Sequence, residues 1–338
     1  GTSNTALGQS ALEGCVDGIR NVAIGYETGT ADWGDDNVAV GYRALKVNTA
    51  SKNVAIGYQS LLSNTTGQFN NAIGYGCLDA NTTGSSNTSM GHQALGGNTT
   101  ASNNSAFGFN ALLSNTTGTQ NIAVGAYALD ANTTANSNVA MGYNTLGANT
   151  TGDQQTAVGT YALQANTTGV QNSAFGSTAL YSNTTADNNT AIGFQALYSN
   201  TTGTRNVAVG AYALDGSSAG NYNVALGYGS LGANTTHNNV AIGYDAATAN
   251  TTGGNLVAIG YQAMNNNTTG SNGIGIGYQA LYTCTTGGEN IAIGLQSLYS
   301  LTTANYNVAI GYDAGEDVTT GDKNNFLGWR AGYNVTTG

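Results

Sequence analysis

The sequence lacks proline and has few charged residues: of 338 residues only 7% are charged, 7 basic and 17 acidic. A globular domain ordinarily carries about a quarter charged residues, so this composition argues against a conventional helical protein. The formal charge of −10 argues against a protein that binds the phosphate backbone of nucleic acid. Runs of about 18 apolar residues are also missing, so we expect no membrane insertion.

Residues that carry chemistry are equally scarce. The three cysteines, Cys15, Cys77 and Cys284, are spread over a repetitive chain and cannot form a disulfide framework. The two histidines, His92 and His237, occupy unrelated positions of the repeat, and no acidic partner is implied by their spacing. No nucleophile–base pair and no zinc-ligand spacing occurs, so we predict no catalytic residue, no cofactor, no metal site and no enzymatic activity.

The chain is built from one short repeat. A glycine preceded by an apolar residue, hereafter the reference glycine, recurs twenty times, with sixteen spacings of 17 residues and three of 16. Such a unit is too short for a helical repeat, which needs about 33 residues, or for a propeller blade, which needs about 40. It fits one coil of a parallel β-solenoid. We therefore predict an all-β fold, a β-solenoid or β-roll of about twenty 17-residue coils, forming one repetitive domain over residues 1–338.

Three rows of the repeat are expected to form structural ladders along the solenoid. The reference glycine indicates either a positive φ or a place without room for a Cβ atom, and we favour a corner. The aliphatic residue before it and the leucine four residues after it are predicted to stack in the core. Representative members of these rows are Gly57, Gly74, Gly125 and Gly193; Ile56 and Ile192; and Leu61 and Leu197.

Two asparagine rows flank this core. The strand asparagine row lies four residues before the reference glycine, as in Asn53 and Asn121, and the turn asparagine row opens the Asn-Thr-Thr triplets, as in Asn64, Asn115 and Asn200. Stacked asparagines can hydrogen-bond as amide ladders. Later in the chain the turn row holds Cys284, Leu301, Val318 and Val335, which indicates that it points inward. The twelve triplets also match the N-glycosylation pattern, but we interpret them as a structural ladder.

An aromatic row follows the reference glycine. A thin coil cannot hold isoleucine, leucine and tyrosine together, so we expect these rings on the outside, where an apolar stripe usually marks an interface. Either subunit packing or a sugar-stacking surface would use it. The candidate interface or glycan-contact residues are Tyr58, Tyr143, Tyr228, Tyr244, Tyr261, Tyr278, Tyr312 and Trp329.

The string Asn-Val-Ala-Ile-Gly, as in Asn53 to Gly57 and Asn307 to Gly311, resembles the head repeats of trimeric autotransporter adhesins. The longer unit, Ala-Ile-Gly-Tyr-Gln-Ala-Leu followed by Asn-Thr-Thr-Gly, resembles repeat regions of phage tail fibres, particularly those of marine cyanobacterial phages. The resemblance implies a left-handed β-roll packed as a homotrimer. The period of 17 is longer than that of the adhesin heads, so their trimer geometry carries over only loosely.

The leading hypothesis is a structural segment of a phage tail fibre that extends or presents host-receptor binding, with a cell-surface glycan as a further partner. It would lie in the virion tail, outside the cell. The alternative is a bacterial surface adhesin or extracellular filament subunit; an ice-binding solenoid is less favoured. Because the chain starts and stops in mid-repeat, we expect it to belong to a longer polypeptide.

Overall fold

The computed structural model describes residues 1–337, which form short β-strands joined by turns and bends, with no helix in that range. The chain divides into two compact units, Gly1–Gln171 and a second that begins at Asn172. Each unit is a parallel β-solenoid in which every coil contributes one strand of three residues. The predicted all-β solenoid is confirmed, whereas the prediction of one domain over residues 1–338 stays a prediction.

The strands recur at the spacing of the sequence repeat. In the first unit they are β1 (Thr5–Leu7), β2 (Val22–Ile24), β3 (Val38–Val40), β4 (Val54–Ile56), β5 (Asn71–Ile73), β6 (Thr88–Met90), β7 (Ser105–Phe107), β8 (Ile122–Val124), β9 (Val139–Met141) and β10 (Thr156–Val158). In the second unit they are β11 (Ser173–Phe175), β12 (Thr190–Ile192), β13 (Val207–Val209), β14 (Val224–Leu226), β15 (Val240–Ile242), β16 (Val257–Ile259), β17 (Ile274–Ile276), β18 (Ile291–Ile293), β19 (Val308–Ile310) and β20 (Asn325–Leu327).

Neighbouring coils pair in exact repeat register. Ala55 lies beside Ala72 in the first unit, and Ala191 lies beside Ala208 in the second. The Gly57 N–H donates to the carbonyl of the preceding coil at Val40 over 2.8 Å. Since equivalent residues of successive repeats are strand partners, each repeat completes one turn around a common axis within its unit.

The core holds alanine and leucine rather than isoleucine. Ala55 and Leu61 are fully buried, but Ile56 is 38% exposed and Ile192 is 42% exposed. The prediction that the isoleucine row stacks in the core is therefore wrong, although its members do stack in register. Side chains alternate across a strand, so an inward alanine in the middle of a three-residue strand forces both of its neighbours outward.

The turns require unusual backbone conformations in every coil. Gln59, Leu61 and Phe69 have φ of 54°, 50° and 59°, in the left-handed region that costs a non-glycine residue roughly 1–2 kcal/mol. Gly57 has φ of 136°, and a Cβ atom there would overlap the Gly74 carbonyl oxygen in the next coil. The reference glycine is therefore required both by its positive φ and by the lack of room for a Cβ atom.

Core volume is conserved where the repeat is irregular. Trp33 is buried where Gly29 replaces the usual leucine, and a Cβ atom at Gly29 would lie 2.7 Å from its indole. Phe326 replaces an inward alanine where Gly315 and Gly332 replace the leucines, and a Cβ atom at Gly315 would lie 2.8 Å from its ring. One large side chain therefore fills the space that a missing leucine leaves, as close packing requires.

Candidate interaction surface

The turn asparagine row is a buried amide ladder. The Asn81 Nδ2 group donates to Asn64 Oδ1 over 2.7 Å and to the Gly84 carbonyl over 3.0 Å. Asn64, Asn115 and Asn200 are fully buried. Both N–H groups of the Asn81 amide therefore have protein partners, as buried polar groups require. The predicted inward direction of this row is confirmed.

The strand asparagine row uses its amide differently. The backbone N–H of Asn70 donates to Asn53 Oδ1 over 3.0 Å, and Asn53 Nδ2 donates to the Gly67 carbonyl over 2.9 Å. Asn64 Nδ2 donates to the same Gly67 carbonyl over 2.9 Å. Asn121 repeats the pattern, with its backbone N–H 2.9 Å from Asn104 Oδ1. The two rows therefore meet on one carbonyl and tie the strand to the turn.

The solvent-facing side of the strands is an apolar surface. We call it the outer sheet face; it consists of the first and third residue of each strand. Its exposed large apolar members are Leu7, Ile56, Met90, Phe107, Ile122 and Met141 in the first unit and Phe175, Ile192, Ile242, Ile310 and Leu327 in the second. In the other coils the third strand residue is also apolar and is half-buried. The outer sheet face is thus far more regular than the scattered apolar residues of ordinary surfaces.

The aromatic row runs beside this face. In the first unit Tyr26, Tyr42, Tyr58, Tyr75, His92 and Phe109 stack with ring centroids 4.8–5.4 Å apart and interplanar angles of 3–17°. In the second unit Tyr228, Tyr244, Tyr261 and Tyr278 stack at 5.2–5.4 Å. The predicted outward direction of the row is confirmed. Sequence reasoning missed that His92 belongs to it, although His92 directly follows the reference glycine of its coil.

Face-to-face stacking limits what the row can bind. Each ring inside a stacked run has both faces covered by its neighbours, so only ring edges and hydroxyl groups reach solvent. The arrangement changes in coils where the aromatic residue lies two residues, rather than one, after the reference glycine. Tyr127 is inclined by 84° to Tyr143, and Tyr212 is inclined by 72° to Tyr228. The rings around Tyr143, and one side of Tyr228, are therefore packed edge-to-face rather than face-to-face.

The remaining predicted aromatic residues stand near a cation. Trp329 is 71% exposed, and the Arg330 guanidinium lies 5.0 Å from its ring centroid. The same guanidinium lies 6.0 Å from the Tyr312 ring and pairs with Asp313 over 3.3 Å. These contacts form a cation–π cluster that covers part of both aromatic surfaces.

The charged side chains include one ion-pair cluster around Glu27 and several separate carboxylates in other coils. The Lys46 ammonium, 2.7 Å from the Glu27 carboxylate, lowers the Glu27 pKa to about 2, with further hydrogen bonds from Tyr26 and Arg43. Burial raises the pKa of Asp79, and it does the same for Asp130 and Asp215 in other coils. Glu27 thus belongs to a surface ion-pair cluster.

Within residues 1–337 we find no cavity, no group of three potential metal-ligating side chains and no helix suited to crossing a membrane. No protein-family model matches the sequence, and no curated protein matches it. The outer sheet face and the aromatic row are therefore the features from which a function can be inferred.

Proposed function

We propose that this chain is a non-enzymatic repeat region of a phage tail fibre, which assembles as a homotrimer and extends or presents host-receptor binding. The observation that carries the proposal is the outer sheet face, which repeats an exposed or half-buried apolar side chain from coil to coil in both units. The assignment to a tail fibre rests in addition on the resemblance of the repeat motif to tail-fibre repeats. The fibre would lie in the virion tail, outside the cell.

The interior supports a mechanical role. Within each unit, coils pair with their neighbours through backbone hydrogen bonds such as Val54 N–H to the Asn70 carbonyl, 2.8 Å. The amide ladders add hydrogen bonds in the same direction, for example from Asn98 Nδ2 to Asn81 Oδ1, 2.8 Å. A coil that is bonded to both neighbours resists local opening, which suits a stiff and protease-resistant spacer.

The chemistry of the outer sheet face favours a second copy of the same chain. Its regular apolar side chains would meet equivalent side chains on another solenoid at matching intervals. No lysine or arginine occurs between residues 53 and 204, so two copies have little charge of opposite sign to pair there. Hydrophobic contact between identical faces is then the available source of affinity, and symmetry lets every copy use it equally.

A glycan is a further proposed partner, at the perpendicular rings beside Tyr143 and Tyr228. The alternative identity, a bacterial surface adhesin or extracellular filament subunit, would use the same fold and the same interface. Ice binding is less favoured, because the Thr65 hydroxyl donates to the Thr82 carbonyl over 2.9 Å. The first threonine row is thus engaged in coil pairing, and a single row remains for a flat ice lattice.

Sedimentation equilibrium of the native protein and of an Ile192→Lys variant tests the assembly. The native mass should be three times the chain mass of 34.1 kDa, and the lysine, placed on the outer sheet face, should shift the assembly to smaller species. Thr202→Lys, at an exposed turn position, is the matched control and should leave the mass unchanged. A native monomer, or an Ile192→Lys variant of unchanged mass, would contradict the proposal.

A further inference from the structure

The chain contains two structurally distinct classes of Asn-x-Ser/Thr sites, the sequence pattern for N-linked glycosylation. We propose that the folded chain accepts N-linked glycans at Asn103, Asn188 and Asn334, and that its twelve Asn-Thr-Thr triplets are blocked by the turn asparagine ladder. The two classes share the same local recognition pattern. They differ in whether the amide nitrogen reaches solvent.

The triplet asparagines of the blocked class are all fully buried, and within the intact ladder both amide hydrogens are bonded. Asn115 is fully buried, and its Nδ2 donates to Asn98 Oδ1 over 3.0 Å and to the Gly118 carbonyl over 2.9 Å. Its Oδ1 accepts from Asn132 Nδ2 over 2.8 Å. Coils that pair as strands lie about 4.8 Å apart, which is too close for a sugar ring between them. Two further sites lie outside both classes: Asn87 is buried in the strand asparagine row, and Asn266 is half-buried beside the turn asparagine Asn267.

The open class lies on the solvent side of turns. Asn103 and Asn188 are exposed and occupy the same position of the repeat, immediately before a strand asparagine. Their φ values of 62° and 61° belong to the left-handed region that asparagine tolerates better than most residues. Ser105 at the start of β7 and Thr190 at the start of β12 supply the hydroxyl of each site. Asn334 is exposed as well, with Thr336 as its hydroxyl residue.

The modification replaces one N–H hydrogen by carbon. The asparagine Nδ2 attacks the anomeric carbon of an oligosaccharide carried on a lipid pyrophosphate; the new N–C bond forms as the bond to the pyrophosphate breaks. The amide loses one proton, and the lipid pyrophosphate leaves. In the turn asparagine ladder this would remove one of the two Nδ2 donors and force a sugar into the core. At Asn103 and Asn188 the sugar would extend into solvent.

Glycosylation of the triplets would limit the compartments in which this chain can fold. If the triplets are glycosylated on the unfolded chain, the modified coil cannot close on its neighbours. A compartment that glycosylates nascent chains would therefore divide the product into a folded form with unmodified triplets and a misfolded form with modified ones. Synthesis where this reaction is absent avoids that loss.

The test is expression of the full chain through a eukaryotic secretory pathway. The soluble protease-resistant fraction and the aggregated fraction are separated, and glycopeptides are mapped in each. We expect glycans at Asn103, Asn188 and Asn334 in the folded fraction and glycans at the triplets only in the aggregate. A folded fraction with a modified triplet would overturn the blocked class. A folded fraction unmodified at all three exposed sites would overturn the open class.

Two variants keep the result interpretable. Replacing the third residue of every triplet except Thr236 by alanine, as in Thr117→Ala, removes the pattern at eleven triplets, changes an exposed side chain at each and leaves Asn115 in its ladder. Thr236 is retained because its hydroxyl donates to the Gly253 carbonyl over 2.7 Å. This variant should increase the folded yield several-fold in the glycosylating host and leave the yield in a bacterial cytosol unchanged. Asn103→Gln should abolish the glycan at that site alone. An unchanged yield in the glycosylating host would contradict the ladder argument.

Discussion

The turn asparagine row differs between the two units. In the first unit it is unbroken from Asn48 to Asn166, with each amide bonded to the one before it at 2.7–3.4 Å. In the second unit Ser217 interrupts it, and from Cys284 onward it becomes apolar with Leu301 and Val318. From Asn48 to Val318 the position is buried in both units, so the same interior space accepts either a continuous polar ladder or an apolar stack.

The transitions between the two solutions leave polar atoms without a partner. Asn200 Oδ1 and Ser217 Oγ are both buried and lack a hydrogen-bond partner among the described residues. Asn267 Oδ1, which precedes Cys284, is in the same condition. A buried polar network is favourable when every member is satisfied, and an incomplete one carries a penalty. The boundaries of the ladder, rather than its interior, should therefore be the weak points of this row.

The largest effect is expected from breaking the intact ladder with Asn115→Leu. This change removes the donor to Asn98 Oδ1 and the acceptor for Asn132 Nδ2. Each buried polar group that loses its partner costs about 1–3 kcal/mol, so the free energy of unfolding should fall by about 3 kcal/mol. Urea denaturation followed by circular dichroism measures it. A loss no larger than that of exposed Thr117→Ala would show that the ladder adds nothing to stability.

The reciprocal change, Leu301→Asn, should destabilise by a smaller amount. Leu301 is fully buried between the coils of Cys284 and Val318, neither of which can complete an amide ladder. Loss of leucine burial and an unpaired amide together should lower the free energy of unfolding by about 2 kcal/mol. The same urea titration serves, with Leu301→Val as the apolar control. A neutral or stabilising asparagine would contradict the distinction between the two regions.

Repair of the interruption by Ser217→Asn should stabilise the second unit. An asparagine there can donate to Asn200 Oδ1 and accept from Asn234 Nδ2, which restores the pattern of the first unit. One or two completed hydrogen bonds correspond to about 1 kcal/mol. Thermal unfolding should therefore shift upward. Ser217→Ala separates the effect of removing an unpaired hydroxyl from that of the ladder, and equal gains for both variants would argue against repair.

The smallest effect is expected for Cys284→Asn. The new amide would give Asn267 Oδ1 a donor, but its own oxygen would face Leu301. One gain of about 1 kcal/mol is then offset by one loss of similar size, so unfolding should change little. A clear stabilisation would show that the apolar side of the boundary can satisfy an amide oxygen. Thermal unfolding of the single variant and of Cys284→Asn combined with Leu301→Asn distinguishes a neutral change from a stabilisation.

The sequence predicts the repeat, the solenoid and the direction of most rows, because each row is sampled about twenty times. Cys284, Leu301 and Val318 replace asparagine, and that substitution pattern indicated burial correctly. Hydrophobicity misled at Ile56, which is larger and more apolar than Ala55 but faces outward. Strand alternation alone allows either Ala55 or Ile56 to point inward, and the narrow interior has room only for the smaller alanine.

Other features depend on three-dimensional neighbours and could not be predicted from one coil. Phe326 compensates for missing leucines in its own coil and in the preceding one, so its role appears only when the coils are stacked. The change from stacked to perpendicular rings at Tyr127 likewise depends on the packing of adjacent coils. The sequence was enough to predict that the aromatic residues lie on the outside, but it was not enough to predict the direction in which their rings face.

Hydrogen exchange of side-chain amides, measured by NMR on protein with isotope-labelled asparagine, tests the central claim that the turn asparagines are an internal bonded ladder. The Nδ2 hydrogens of Asn81 and Asn115 should exchange as slowly as protected backbone amides, and those of exposed Asn103 should exchange at the rate of a free side chain. Free exchange at Asn81 and Asn115 in the folded protein would contradict the account.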